Sequence, residues 1–221
     1  MSKISDREIV LPGQMLGQGV LAGTHCFKEG KSVVSSVRGL ARMDRKFAKV
    51  VAFDGKYMPK KADVVVGVIE GYSAGGWFID INSGYSSYMR GEEVTRRPLD
   101  EDLKRYYSIG DCFTAKVIDV DEVYNSTLIN PWKLKGGMII NISPKKVPRV
   151  IGKGKSMINM LRDKIGCKII VGQNGRVWLS GNKIEVINYA IKTIRTIEKN
   201  AHKPGLTTKI EALIDKELNK R

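Results

Sequence analysis

The sequence predicts a multidomain protein of β and α+β class. A small N-terminal β-domain spans 1–60, a five-stranded β-barrel 61–133, and an α+β domain with a C-terminal helix 134–221. Three observations carry this division. The 221 residues have net charge +15, but Lys+Arg against Asp+Glu is 12 to 5 in 1–61, 6 to 12 in 62–132 and 20 to 6 in 133–221. An acidic middle third between basic flanks marks separate units. Glycines cut residues 1–132 into short apolar runs, the rhythm of strands and turns. Beyond Met138 the apolar residues take up helical spacing instead.

The N-terminal unit is punctuated by Gly13, Gly17, Gly19, Gly23 and Gly30, with apolar runs at Ser32–Val37 and Lys49–Phe53. Gly17-x-Gly19 has its third glycine at Gly23, one residue late for a dinucleotide fingerprint, and no strand–helix–strand unit follows. Asp54–Gly55 is a further turn, and Pro59–Lys60–Lys61 makes a short junction.

The middle unit opens with Val64–Gly71, a buried strand whose glycines permit bending. Trp77–Asn82 alternates: Trp77, Ile79 and Ile81 face one way, while Phe78 shares the other face with Asp80 and Asn82. An aromatic on a polar strand face is a candidate base-stacking platform, with partial cover by a loop as the competing reading. Asp111–Val120 and Tyr124–Ile129 complete five strands, with Leu99–Tyr107 as a helical link. Five short strands with a helix after the third predict a Greek-key barrel of the OB type.

In the last unit, Met138–Ile142 reads as a strand closed by Ser143–Pro144. Val150–Ser156 is a glycine and lysine loop, and Met157, Ile158, Met160, Leu161 and Ile165 then fall on one helical face. Gly166 ends that helix. Lys168–Val171 and Arg176–Leu179 flank Gln173–Asn174–Gly175, a hairpin signal. Asn182–Glu185 reads as a capping box opening a long helix with Ile184, Ile187, Ile191 and Ile194 inside. Lys203–Pro204–Gly205 breaks it, and Thr208-x-x-Glu211 caps a last helix with Ile210, Leu213, Ile214 and Leu218 on one stripe.

Catalytic chemistry finds little support in these residues. Gly154–Lys155–Ser156 before a helix lacks the upstream glycine of a phosphate-binding loop, because Arg149 stands there. Cys26, Cys112 and Cys167 have no metal-ligand spacing, and His25 and His202 are the only histidines. Three separate thiols suit a reducing compartment, so a cytoplasmic location is expected. No apolar run approaches a membrane span. Neighbouring carboxylates such as Asp100–Glu101–Asp102 do not face each other in a helix. We therefore expect no catalytic residues, no metal and no cofactor.

The order strand, loop, helix, hairpin, long helix resembles the RNA-binding KH domain, with Pro148–Arg149–Val150 in its first short helix. The resemblance implies a backbone-clamping role for Gly152, Lys153, Gly154 and Lys155. That family's loop is Gly-x-x-Gly, and here the second glycine comes one place early. Lys155 in the last slot crowds the approach of phosphate to backbone amides while adding positive charge. The middle unit resembles the S1 RNA-binding domain through Val66–Gly67–Val68, Gly76–Ile81, Gly84 through Tyr88, Gly110–Asp111 and Ala115–Lys116–Val117. That likeness implies aromatic RNA contacts from Phe78 and Tyr88. Where the S1 family often carries a basic residue on its last strand, this chain offers Asn125. Its positive charges cluster at Arg90, Arg96, Arg97, Lys104 and Arg105, within an otherwise acidic unit.

A glycine-rich β-domain followed by S1 and KH domains closely resembles the archaeal RNA exosome cap subunits of the ribosomal-RNA-processing protein 4 type. The specific pieces are Val10–Gly13, Gly55–Lys60, Val150–Gly152 and Gly172–Trp178. Polynucleotide phosphorylases place KH before S1, so the domain order discriminates. The resemblance implies a non-catalytic subunit, three copies of which sit on a hexameric phosphorolytic ring of the RNase PH type. Residues 1–60 would dock on that ring, and the S1 domains would feed 3′ ends of single-stranded RNA inward. A transcription or translation factor joining S1 to KH, a nuclease, and a structural assembly protein are the alternatives.

Overall fold

The computed structural model describes residues 5–6, 8–44, 46–53, 55–100, 102–201 and 205–218. Asp54, Glu101, His202 and the Lys203–Pro204 break lie outside them, as does the side chain of Leu218. The chain divides into two compact units, Met1–Gly55 and Lys56–Arg221. The division falls ahead of the Pro59–Lys61 junction. Tyr57 is accordingly a core residue of the second unit, its hydroxyl 2.8 Å from the Asp63 carboxylate.

The first unit is all strand: β1 (Ile9–Val10), β2 (Met15–Gln18), β3 (Leu21–Ala22), β4 (Cys26–Glu29), β5 (Ser32–Ser35), β6 (Gly39–Asp44) and β7 (Phe47–Ala52). They form one sheet of order β1-β6-β7-β3 and one of order β2-β5-β4. Val10, Leu16, Val33, Ala41, Ala48 and Val50 fill the core. The period of two in β7 that buries Ala48, Val50 and Ala52 turns Phe47 and Val51 outward. Register aligns Ile9, Leu40 and Val51 in one row and Leu21 beside Phe47 in another. The outer face of this sheet therefore exposes two apolar rows, with Ile9 62% and Leu21 54% accessible, on either side of Arg42 and Lys49, and Lys49 pairs with Asp44 at 2.9 Å.

The second unit begins with a closed barrel of β8 (Val64–Ser73), β9 (Gly76–Asp80), β10 (Ser87–Arg90), β11 (Cys112–Val120) and β12 (Ser126–Leu134), ordered β10-β12-β11-β8-β9. The expected alternation holds: Trp77, Ile79 and Ile81 are buried with Val65, Ile69, Met89, Phe113, Val117 and Leu128. Tyr107 meets Trp77 edge-on at 5.6 Å, sealing the barrel from the β10–β11 crossover. The helical link in that crossover is a single 3₁₀ turn at Leu103–Arg105, preceded by another at Gly91–Glu93. β12 runs on to Leu134.

An α+β arrangement follows: β13 (Met138–Asn141), α1 (Val147–Ile151), α2 (Ser156–Ile165), β14 (Lys168–Val171), β15 (Arg176–Ser180), α3 (Ile184–Lys199) and α4 (Leu206–Leu218). The strands form an antiparallel sheet of order β13-β15-β14. Val150, Met157, Leu161, Ile169, Val177, Leu179 and Ile194 make its core with the helices. The last helix buries Ile210 and Ile214 in that same core, each worth about 1.5–3 kcal/mol. Lys164 of α2 ties it down through Asp215 at 2.6 Å and Glu211 at 3.0 Å.

Three helix expectations are corrected. The capping box at 182–185 does not form: Lys183 is the N-cap and makes no side-chain cap bond. Ile184 is 54% exposed, because the buried stripe of α3 passes through Ile187, Ala190, Thr193, Ile194 and Ile197. α4 starts at Leu206, which puts Thr208 inside the helix, and Leu213 faces outward at 53% exposure.

Candidate nucleic-acid interface

Phe78 and Tyr88 are cross-strand partners on the outside of the barrel, and register alone brings them together. Their ring centroids lie 5.6 Å apart with planes tilted by 59°, and Phe78 is 46% exposed. Small neighbours flank the pair: Phe78 pairs with Gly71 on β8, and the half-buried Tyr88 with Thr127 on β12. The phenol end of Tyr88 lies against Gly76, where a Cβ would stand 2.7 Å from its hydroxyl oxygen. That hydroxyl shares a hydrogen bond with Ser73 at 2.9 Å, so the ring is held before any ligand arrives. Arg90 follows two residues on, hence on the same outer face, opposite Gly76.

Arg96, Arg97, Lys104 and Arg105 are all exposed on the β10–β11 crossover. The crossover leaves β10 beside the β8–β9 turn, where the Gly91 amide donates to the Gly75 carbonyl, so Arg90 stands at its root. The Lys104 ammonium sits 5.8 Å above the Tyr72 ring, while Asp102 accepts from the Lys104 amide. Glu92, Glu93, Asp100 and Asp102 intersperse these cations, so the crossover presents mixed charge. Asn125 lies in the β11–β12 turn, before β12 begins, with its amide bonded to Asp121.

Gly152–Lys155 joins α1 to α2 and stands apart from the aromatic pair, on the helical layer of the KH-like domain. Gly152 has φ +77 and ψ 167, and a Cβ there would stand 2.6 Å from the Met157 nitrogen. Gly154 (φ +59) and Lys155 (φ +66) are both left-handed. The loop thus calls for glycine at its fourth position as well, and Lys155 occupies it under strain. The amides of Lys155 and Ser156 turn back to the carbonyls of Gly152 and Lys153.

The Gly172–Trp178 stretch does something that sequence reading missed. Asn174, fully buried, donates from Nδ2 to the carbonyls of Val66 and Ile81, both at 2.8 Å, and accepts from the Val66 amide at 3.2 Å. Arg176 donates to the Asp80 carbonyl and pairs with the Asp80 carboxylate. The Gln173 side chain accepts from the Val64 amide. Trp178 packs with Val66 and Leu134, and its indole donates to the Gly136 carbonyl at 2.8 Å. This hairpin bolts the α+β domain to β8 and β9 of the barrel.

Burial pushes the thiols of Cys26, Cys112 and Cys167 up, opposite to what activates a nucleophile. Burial also acts upward on Asp111, but the Lys133 ammonium and the Ser108 amide outweigh it and hold its carboxyl below the usual range. Among the described residues, no three His, Cys, Asp or Glu side chains converge as a metal cluster, and no helix is long and apolar enough to cross a membrane.

Residues 137–185 match the KH domain family. The chain is 40% identical over 216 residues to the exosome complex component Rrp4 of Methanobrevibacter smithii, covering 96% of this chain and 72% of that protein. It is 39% identical over 221 residues to the exosome complex component Rrp4 of Pyrococcus furiosus, covering 96% and 84% respectively. It is also similar to a crystal structure described as an exosome complex RNA-binding protein, with TM-score 0.67 and 33% identity over 76% of this chain and 99% of that one.

Proposed function

The chain belongs to the family of the exosome complex component Rrp4, and from that premise we propose that it is a non-catalytic, RNA-binding cap subunit of an archaeal exosome. It recruits single-stranded RNA and guides 3′ ends into a hexameric RNase PH-type ring, with three copies in the cap, in the cytoplasm. The observation that carries the RNA reading is the open Phe78–Tyr88 pair on the outer face of β9 and β10. Flat rings held beside small neighbours offer stacking surface to any base, and Arg90, Arg96, Arg97, Lys104 and Arg105 supply charge for phosphates. Both kinds of contact ignore sequence, which suits a subunit that admits many RNAs. The exposed apolar residues Ile9, Leu21, Phe47 and Val51 on the outer face of the first unit, set around Arg42, Asp44 and Lys49, support docking of that unit on a protein ring. Activity rests with the ring, so the isolated chain leaves RNA intact.

The test is single-stranded RNA affinity of the full chain across a salt series. Phe78→Leu is expected to weaken binding by about 1–3 kcal/mol with little change in salt slope. Arg96→Ala with Arg97→Ala is expected to lower the slope by about 1.4, at about 0.7 for each phosphate that is no longer neutralised. Lys153→Ala with Lys155→Ala is expected to lower it less. A loop variant that shifts the slope more than the arginine variant would make the Gly152–Lys155 loop the main RNA contact and overturn this ranking.

A further inference from the structure

A second pair of rings stands on the barrel. Tyr85 and Tyr124 have ring centroids 5.1 Å apart at 38°, and they are 38% and 42% exposed. Neither belongs to a hydrophobic core, and among the described residues neither phenol oxygen has a hydrogen-bond partner in the chain. Nothing in the folding of the barrel requires aromatic side chains here.

The backbone nevertheless works to hold them. Tyr124 has φ +65, a left-handed conformation that costs a bulky residue on the order of 1–2 kcal/mol. The turn that imposes it is built around Asp121, whose carboxylate accepts from the amides of Val123 at 3.0 Å and Asn125 at 2.7 Å, and from the Asn125 side chain at 3.0 Å. The Asp121 amide donates to the Asn125 carbonyl, and the Tyr124 amide to the Asp121 carbonyl. Ser83 does the same work for Tyr85: its hydroxyl accepts from the Tyr85 amide at 3.1 Å and donates to the Tyr85 carbonyl at 2.8 Å. Two independent turns thus bring two solvent-facing rings into contact.

Tyr85 also lines the groove that contains Phe78. The groove has a volume of about 550 Å³, and beside Phe78, Ile79 and Tyr85 its polar lining comes from Glu70, Asp80, Ser83, Ser86 and Ser87. No lysine or arginine lines it, and of its two carboxylates Asp80 is paired with Arg176 while Glu70 adds negative charge. Such a wall offers a phosphate no cation, whereas the flat face of an uncharged base needs none. The geometry fits bases turned inward and the sugar-phosphate chain turned out to solvent.

We propose that Tyr85 and Tyr124 form a second base-stacking position for single-stranded RNA, continuous through this groove with the position at Phe78 and Tyr88. The inference rests on the RNA reading of the barrel face and extends it to a second ring pair. Stacking there adds affinity without adding phosphate contacts, so it is distinguishable from the cationic crossover by salt dependence.

The test uses the full chain and mixed-sequence single-stranded RNA long enough to cover both ring pairs. Tyr85→Leu and Tyr124→Leu keep apolar bulk and remove the flat ring. Each is expected to weaken binding about 5- to 100-fold with an unchanged salt slope. Tyr124→Phe is expected to stay within about twofold of the parent, since stacking needs the ring and not the hydroxyl. Phe78→Leu separates the two ideas. If it weakens binding while both tyrosine variants bind like the parent, the second position does not exist and the barrel-face reading survives. If Phe78→Leu is also silent, both fall. Should a leucine variant misfold, photocrosslinking of the unaltered protein to 4-thiouridine RNA decides. Crosslinks on the Tyr85 or Tyr124 peptides support the proposal, and crosslinks confined to the Phe78 and Tyr88 peptides overturn it. Tyrosine variants that keep RNA affinity but lose partner subunits would reassign the pair to a protein contact.

Discussion

The turn Gly152–Lys155 and the turn Gly172–Gly175 belong to the same domain, and each holds glycine in left-handed backbone, yet they direct their polar groups oppositely. In the first, the amides of Lys155 and Ser156 satisfy carbonyls within the loop, and Lys153 and Lys155 extend into water. In the second, Asn174 is wholly buried and its amide group is consumed by backbone of a different domain. The first turn is conformationally strained and solvent-facing, as a ligand-binding loop is. The second is a fastening. Residues of similar type at similar turns therefore differ in role according to what their hydrogen bonds reach.

Substitutions can break this contrast. The largest effect is expected from Asn174→Ala, which leaves the Val66 amide and the carbonyls of Val66 and Ile81 buried without partners. At about 1–3 kcal/mol for each orphaned group, with partial relaxation, the loss of stability should reach about 3–5 kcal/mol in urea unfolding. A loss below about 1 kcal/mol would mean that water replaces the side chain and the turn is no fastening. Gly152→Ala comes next, at about 2–3 kcal/mol, because its Cβ meets the Met157 nitrogen at 2.6 Å in a backbone region closed to alanine. Thermal unfolding measures it, and an unchanged midpoint would show that the α1–α2 link relaxes freely. The smallest effect has the opposite sign. Lys155→Gly removes left-handed strain and is expected to stabilise by about 0.5–1 kcal/mol, after the entropy that glycine costs in the unfolded chain. A destabilised variant would show that the Lys155 side chain contributes more than its backbone costs.

Much of the architecture was legible because it is written in local periods. The alternation across Trp77–Asn82 separated Phe78 from the core, and the spacing of Met157, Ile158, Leu161 and Ile165 marked the buried face of α2. The order of elements, with the residue likenesses beside it, marked the barrel and the α+β domain, whereas the first unit was legible only as a β-domain. Contacts between distant segments were not legible in this way. Asn174 lies 108 residues from Val66, and its Asn-Gly setting reads as a hairpin turn whatever the side chain touches. The one available signal was Arg176, a charge in an otherwise apolar strand, which implied a buried acceptor. Tyr85 and Tyr124 meet only because β10 and β12 close the barrel side by side in parallel. Asn182–Glu185 failed for the opposite reason. Its local pattern suits a cap, but α3 begins at Ile184 and leaves Asn182 outside the N-cap position.

The fastening at Asn174, Gln173 and Arg176 also sets how barrel and KH domain are presented together to any polymer that contacts both. Two binding modules on a flexible tether must search for a shared ligand, and the second contact forms at an effective concentration on the order of millimolar, set by the tether length. Here the covalent link between barrel and KH domain is the short segment 135–137, and the hairpin fastens the two domains across it. A polymer held on the barrel meets the neighbouring domain at a fixed separation and bearing, with no loop-closure entropy lost by the protein. The response to polymer length should then be a step instead of a gradual rise. Chains too short to span the interval gain nothing from the second domain, and chains just long enough gain all of it.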